Sequence, residues 1–346
     1  MKILVYGSGA IGGYLGSSLL HSGNQVVMLD RPSMAEEINQ GGIIVVEAGE
    51  RIQVKPQAVS SLSEAYALNE NYDLILLGLK SYDLPIALKD LAAHDPEGAT
   101  IFTVQNGIGI EAPFIEAFGD GRILAGSLTT PVSKKGAFHL VVERSDRGLG
   151  LAPARSGQDI TQWVSLFNEA GIKTIGLADY ESMKWSKAFL NIVSNASSAI
   201  LDMRPGDVYS DPNLFDLEVT MLRETVQVMR GYRLEVIDLP GSPARSLALA
   251  VQYAPMFLLK PILTRIVAGG RGDKMPSFYI DLVSGRGKSE VIFHNGAIAD
   301  SGEAAGIPVK VNRVLNDTLV KLTKGELRRE EFANNPQRLL EELNNF

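Results

Sequence analysis

Apolar residues recur along this chain in two rhythms. Lys2-Ile3-Leu4-Val5-Tyr6 and Gln25-Val26-Val27-Met28-Leu29 are short β-branched runs that read as buried strands. Between them Tyr14, Leu15, Leu19 and Leu20 recur at helical spacing and stop at Ser22-Gly23-Asn24. Residues 74–79 and 99–104 are near-continuous apolar runs, as strands covered on both faces of a parallel sheet should be, with a helix predicted at 85–93. Residues 42–46 and 52–54 read as a hairpin. Runs at 123–129, 137–142 and 149–152 add strands, and 157–169 a helix. Beyond residue 178 long helical periodicities replace the strand signal. The pattern predicts an α/β chain, with a parallel-sheet domain over residues 1–178 and an all-helical domain over 179–346.

The break after the first strand carries the first chemical signal. Gly7-Ser8-Gly9-Ala10-Ile11-Gly12 matches G-x-G-x-x-G between a strand and a helix, and the next strand closes on Asp30. Glycines let such a turn close against a pyrophosphate, and the helix N-terminus adds N–H donors, so a Rossmann-type dinucleotide site is expected. The strand end is mixed: Asp30 would accept from adenosine ribose hydroxyls, whereas Arg31 would pair with a 2′-phosphate. Arg31-Pro32-Ser33 reads as the start of a loop. Lys80 and Gln105-Asn106-Gly107 follow the 74–79 and 99–104 strands at the same sheet edge, which makes them candidate ligand contacts.

Composition then removes alternatives. With no cysteine among 346 residues, a disulfide scaffold, a thiolate metal site and a cysteine nucleophile are excluded. A net charge of −7 argues against nucleic acid or anionic membrane as the main partner. The four histidines are scattered, so no metal site is expected. No apolar stretch approaches the roughly 18 residues of a membrane span, and no signal-peptide pattern precedes residue 30, so a cytoplasmic protein is expected. Gly287-Lys288-Ser289 lacks the leading glycine of a phosphate loop, since position 282 is Leu.

Residues 179–201 read as one helix with a wide apolar face, against which Lys187, Asn191 and Asn195 run at i, i+4 and i+8 on a narrow stripe. Read from periodicity alone, that stripe is either a solvated outer face or a polar site. Lys184 and Glu181 read as ordinary surface. Ser277, Lys288, Glu290 and His294 form a later polar stretch.

Taken in order, Gly7 to Gly12, Lys80, Gln105-Asn106-Gly107, the segment Trp185-Ser186-Lys187-Ala188-Phe189-Leu190-Asn191, and Glu290 through Asn295-Gly296 resemble the ketopantoate reductase (2-dehydropantoate 2-reductase) family over nearly the whole chain. The segment from Ala305 to Val309 with Asn312 is similar to that family's last helical region. The resemblance implies a Rossmann domain, a helical domain, an active site in the cleft between them, and NADPH as reductant. It implies that Lys187 is the general acid, that Asn191, Asn195 and Ser277 bind a small keto acid, and that Glu290 contacts cofactor or substrate. Ser8, Gly9, Ala10, Ile11, Arg31, Lys80 and Asn106 would then contact the cofactor, with Asn106 also near substrate. Asp30, where the family has a small neutral residue, leaves NAD open. The 231–275 segment is longer than usual and would wall the pocket or form an oligomer contact, which leaves a homodimer open. The spacing from Ser277 to Glu290 is shifted by about one position. Ketopantoate is the default substrate. The alternatives are a paralogue acting on another keto acid or an imine, and a nucleotide-sensing module without turnover.

Overall fold

The computed structural model describes residues 1–94, 98–136, 138–271 and 274–346. Its strands are β1 (Lys2–Tyr6), β2 (Gln25–Leu29), β3 (Ile43–Glu47), β4 (Glu50–Val54), β5 (Gln57–Val59), β6 (Leu74–Leu77), β7 (Thr100–Thr103), β8 (Ile123–Leu128), β9 (Val132–Lys134), β10 (His139–Val142), β11 (Leu149–Pro153) and β12 (Thr174–Gly176). Among the described residues an eight-stranded sheet runs in the order β12-β11-β8-β7-β6-β1-β2-β5. Every pairing in it is parallel except that of β8 with β11. The apolar run of β6 is buried at every residue because the strand is covered on both faces. The hairpin β3–β4 continues through β10 into β9 as a second, four-stranded sheet. Ala137, with which the expected 137–142 strand begins, lies outside the described residues.

From β1 the chain winds through helix α1 (Ala10–His21) to β2 on one side, and later returns to β6 on the other. The carboxyl ends of β1 and β6 therefore form a topological switch point, where open α/β sheets bind ligands. The loop expected at Arg31-Pro32-Ser33 is instead the start of helix α2 (Pro32–Gly41). Proline at the first helical position lacks only an N–H that would have no partner there, and its fixed φ suits the helix.

The chain divides into two compact units. One comprises Met1–Asn106, Ile110–Lys184 and Leu239–Ser242; the other comprises Gly107–Gly109, Trp185–Asp238 and Pro243–Phe346. Among its described residues the second unit has helices and no strand, with irregular stretches such as 232–238 and 284–289 between them. Its spine is the helix Pro212–Gly231, started by the Asp211 carboxylate, which accepts from the N–H groups of Asn213 and Leu214 at 2.8 and 3.0 Å. Leu214, Phe215, Val219, Met221, Leu222 and Val228 on this helix are fully buried. Each such side chain contributes on the order of 1.5–3 kcal/mol. No helix among the described residues is long and apolar enough to cross a membrane.

Two carboxylates of the spine are buried as well, and each organises another helix. Glu224 accepts from the N–H groups of Val311 and Asn312 at 2.9 and 3.0 Å and from Asn312 Nδ2 at 2.8 Å, which caps the helix Lys310–Lys324. Burial pushes its carboxyl above the ordinary range, against the pull of those N–H bonds. Glu218 explains why the helix expected over 179–201 is two helices, Tyr180–Asn191 and Asn195–Leu201. Ser194 between them adopts φ 55°, ψ 13° and donates its N–H to Glu218 Oε2 at 2.8 Å. Ser197 Oγ and Tyr209 OH donate to the same carboxylate. A left-handed serine costs on the order of 1–2 kcal/mol, which these bonds to a charged acceptor offset.

Replacing Glu218 with Ala leaves a buried N–H and two hydroxyls without that acceptor. The expected loss is about 2–4 kcal/mol, read as a lower urea midpoint. An unchanged midpoint would mean that Glu218 does not hold the break.

Candidate functional site

In the first unit the turn after β1 is closed by three glycines pressed on one another. Gly7 has φ +98° and donates its N–H to Leu29 O at 2.8 Å. A Cβ on Gly12 would overlap the Gly7 carbonyl oxygen, and so would one on Gly78, which would also come within 2.8 Å of Gly12 Cα. The Gly78 N–H donates to Tyr6 O at 2.7 Å, so this glycine continues the β6 ladder while making room for α1. In the sequence Gly78 is one residue of the apolar run 74–79, and a lone glycine inside such a run marks a close backbone approach. Gly9, by contrast, has only ordinary contact, 3.7 Å from its virtual Cβ to Gly78 O, and stands at the N-cap of α1. Ala10 and Ile11 open α1 behind it. The result is a backbone cradle under a helix N-terminus, which suits a pyrophosphate.

Asp30 at the end of β2 is tied to that cradle. Its Oδ2 accepts from Ser8 N at 2.8 Å and Ser8 Oγ at 2.5 Å, and its Oδ1 accepts from Arg31 N at 2.8 Å. Arg31 Nε lies 3.9 Å from Oδ1, with the guanidinium side chain 77% exposed. Lys80 and Asn106 are half-buried in the loops that follow β6 and β7. Those loops are joined: Ser81 Oγ donates to Asn106 O at 3.1 Å, and Gln105 Nε2 donates to Leu77 O and Leu79 O at 2.6 and 3.1 Å.

Lys184 corrects the surface reading. Its side chain is 3% exposed, and its Nζ lies 2.8 Å from Glu111 Oε1 and donates to Gln105 O at 2.9 Å. Thr103 Oγ1 also donates to Glu111 Oε1, at 2.7 Å. Periodicity cannot reveal a partner 79 residues away. Glu181 is exposed, as expected.

In the second unit Lys187 is half-buried, one turn before Asn191 on the helix Tyr180–Asn191. The break after residue 191 takes Asn195 off their continuous helix, so the i, i+8 stripe does not exist as a single helix face. Asn195 is nonetheless drawn to the same place. It is 3% exposed; its Nδ2 donates to Asn191 O at 3.0 Å and to Ser277 Oγ at 3.2 Å, and its Oδ1 accepts from Phe278 N at 3.0 Å. Asn195 thus lies beneath the exposed Ser277 and anchors the helix Ser277–Val283. Buried His294 completes the cluster. Its Nδ1 is 3.0 Å from Glu290 O and its Nε2 3.5 Å from Asn191 Nδ2, with its ring edge-on to Phe278. A carbonyl only accepts, so Nδ1 carries the proton and, in the neutral ring, Nε2 accepts from the Asn191 amide. Glu290 is buried, and its N–H donates to Asp281 Oδ2 at 3.4 Å. The second unit therefore brings together Asn191, Asn195, Ser277, His294 and the Glu290 backbone.

Residues 3–149 match the family described as Ketopantoate reductase PanE/ApbA, and residues 179–323 match Ketopantoate reductase PanE/ApbA C terminal. The chain is 28% identical over 318 residues to a 2-dehydropantoate 2-reductase of Pyrococcus abyssi, covering 91% of this chain and 95% of that protein. A 2-dehydropantoate 2-reductase of Archaeoglobus fulgidus is 25% identical, over 94% of this chain and 97% of its own. Among solved structures, a PanE/ApbA family ketopantoate reductase from Ralstonia eutropha superposes with a TM-score of 0.78 at 24% identity, covering 94% of this chain and 99% of that one. A ternary structure of D-mandelate dehydrogenase with NADH and anilino(oxo)acetate superposes with a TM-score of 0.76 at 20% identity, covering 94% and 99%. At these identities the two structures speak for the fold alone.

The glycine packing makes a sharp prediction. Gly78→Ala should weaken dinucleotide binding about tenfold or more, ~1.4 kcal/mol, because the methyl needs the space of the Gly7 carbonyl oxygen and displaces the turn that would hold the pyrophosphate. Gly41→Ala, where a Cβ meets nothing within 4 Å, should leave binding unchanged. Calorimetric titration of both variants checks this, and equal behaviour would refute the role given to Gly78.

Proposed function

As the chain belongs to the ketopantoate reductase family, we propose that it reduces a small 2-keto acid, ketopantoate by default, to the 2-hydroxy acid with NADPH. The observation that carries this reading is that the two matched segments contain, respectively, the glycine turn and the Lys187–Asn191 pair.

The cradle of residues 7–12 fits a dinucleotide: the space that Cβ atoms would fill at Gly7 and Gly12 is taken by backbone, which sets the helix start over the strand ends. Ser8, Gly9, Ala10, Ile11 and Gly12 would hold the pyrophosphate, and Lys80 and Asn106 the phosphate and nicotinamide sides. Asp30 bears on cofactor choice. Its carboxylate already accepts from Ser8 and the Arg31 N–H, so much of its hydrogen-bonding capacity serves the turn. The exposed Arg31 guanidinium is then the group suited to a 2′-phosphate, which supports NADPH over NADH.

When bound, the nicotinamide supplies the hydride. Lys187 holds a proton for the substrate's carbonyl oxygen, and its ammonium stabilises negative charge as that oxygen becomes a hydroxyl. Asn191 turns its Nδ2 toward His294, which leaves Oδ1 to accept from a substrate hydroxyl. Asn195 holds Ser277 in place, and Ser277 offers its hydroxyl to the keto acid. Glu290 closes the set beside His294, contacting a hydroxyl of substrate or cofactor.

Lys187→Ala should lower kcat by about 10²- to 10⁴-fold, the range of a general acid, while cofactor affinity stays near that of the unaltered chain. A variant that keeps most of its turnover would remove Lys187 from this role. Arg31→Ala should weaken NADPH much more than NADH in titrations of both. Equal loss on the two cofactors would mean that Arg31 does not read the 2′-phosphate.

A further inference from the structure

The first unit holds a buried ion pair that the mechanism above does not use, and its position at the carboxyl end of β7 gives it a task. Lys184 and Glu111 are 3% and 1% exposed, with Nζ and Oε1 2.8 Å apart. Burying two charges costs several kcal/mol, and a well-packed apolar pair is often at least as stable, so stability alone is a poor reason for this arrangement. What an ammonium offers and an apolar side chain does not is a directed donor. That donor points at the Gln105 carbonyl, the residue next to Asn106.

We infer that Lys184, held by Glu111, is a positioning residue that fixes the Gln105-Asn106 backbone at the nicotinamide end of the cofactor site. The inference rests on the reading of Asn106 as a cofactor contact.

The backbone groups of this segment are held one after another. β7 ends at Thr103, and beyond it the chain leaves the sheet. Gln105 uses its own side chain to grip the neighbouring strand end, donating to Leu77 O and Leu79 O and accepting from Val104 N at 3.1 Å. Its carbonyl is taken by Lys184. The next carbonyl, that of Asn106, is taken by Ser81 Oγ. Successive carbonyls are thus held by side chains from two other segments, one of them charged and buried. Glu111 and Thr103 orient the ammonium, since Glu111 Oε1 accepts from both Lys184 Nζ and Thr103 Oγ1. Such a clamp fixes the direction in which Asn106 leaves the sheet, and a displacement of about 1 Å at a reacting partner can cost on the order of 100-fold in rate.

Removing Lys184 alone would strand the Glu111 carboxylate and could unfold the unit, so the informative variant neutralises both partners. In Lys184→Met with Glu111→Gln, the glutamine still accepts from Thr103 and no buried charge is left alone. The full-length variant is compared with the unaltered chain in three measurements: melting temperature, affinity for 2′,5′-ADP, which probes only the adenosine end, and steady-state kinetics with NADPH and ketopantoate. The inference expects a fold that still melts cooperatively and an unchanged 2′,5′-ADP affinity. It expects kcat to fall about 10- to 100-fold and the primary isotope effect from 4-deuterated NADPH to rise as hydride transfer becomes limiting. Unchanged kcat overturns it, and so does a parallel loss of 2′,5′-ADP affinity, which would mark a general structural role. If the unaltered chain binds 2′,5′-ADP and oxidises NADPH but Asn106→Ala leaves both kcat and the isotope effect unchanged, the reading of Asn106 fails and takes this inference with it.

Discussion

The Gly7 carbonyl oxygen occupies space that a Cβ on Gly12 or on Gly78 would need. Much of the first unit depends on that three-way contact. It lets α1 start directly over the ends of β1 and β6, at the place where the strand order reverses. It leaves a turn of bare backbone facing whatever binds there, with Ser8 drawn to Asp30 so that the turn has one shape. A methyl group at either glycine would need the space of that oxygen, so backbone on one side of the contact would have to shift.

Buried charges do comparable work elsewhere in the chain. In the first unit Lys184 and Glu111 meet beneath the Gln105-Asn106 turn. In the second, Glu218 and Glu224 project from one helix, the first holding the break at Ser194 and the second capping the helix Lys310–Lys324. Each carboxylate accepts several N–H or O–H groups, and this is the condition under which a buried charge is tolerable. The break at Ser194 matters for the site, because it lets Asn195 turn beneath Ser277 while Lys187 and Asn191 keep their helix.

What the sequence made legible were features with short-range causes. The β1–turn–α1–β2 unit follows from apolar runs around the glycine motif, and β6 and β7 from near-continuous apolar stretches. The spacing of Lys187 and Asn191 is helical because nothing interrupts the three residues between them. What stayed hidden has long-range causes. Ser194 is left-handed because of a glutamate 24 residues later, and Lys184 is buried because of a carbonyl 79 residues earlier. Gly78 looked like one more residue of a strand, since its importance lies in what approaches it. The start of α2 is a different case: Pro32 is itself a helix-start signal, but Arg31 and Ser33 on either side of it look like a loop.

The glycine cradle of the first unit suits a dinucleotide, and the helical unit bears Lys187, which the proposed reductase uses as its acid. The most direct test is the initial rate of cofactor oxidation by the unaltered chain with ketopantoate, measured with NADPH and again with NADH. The expected result is steady turnover with a clear preference for NADPH. No oxidation of either cofactor beyond the background without ketopantoate would contradict the proposed substrate, and a preference for NADH would contradict the reading of Asp30 and Arg31.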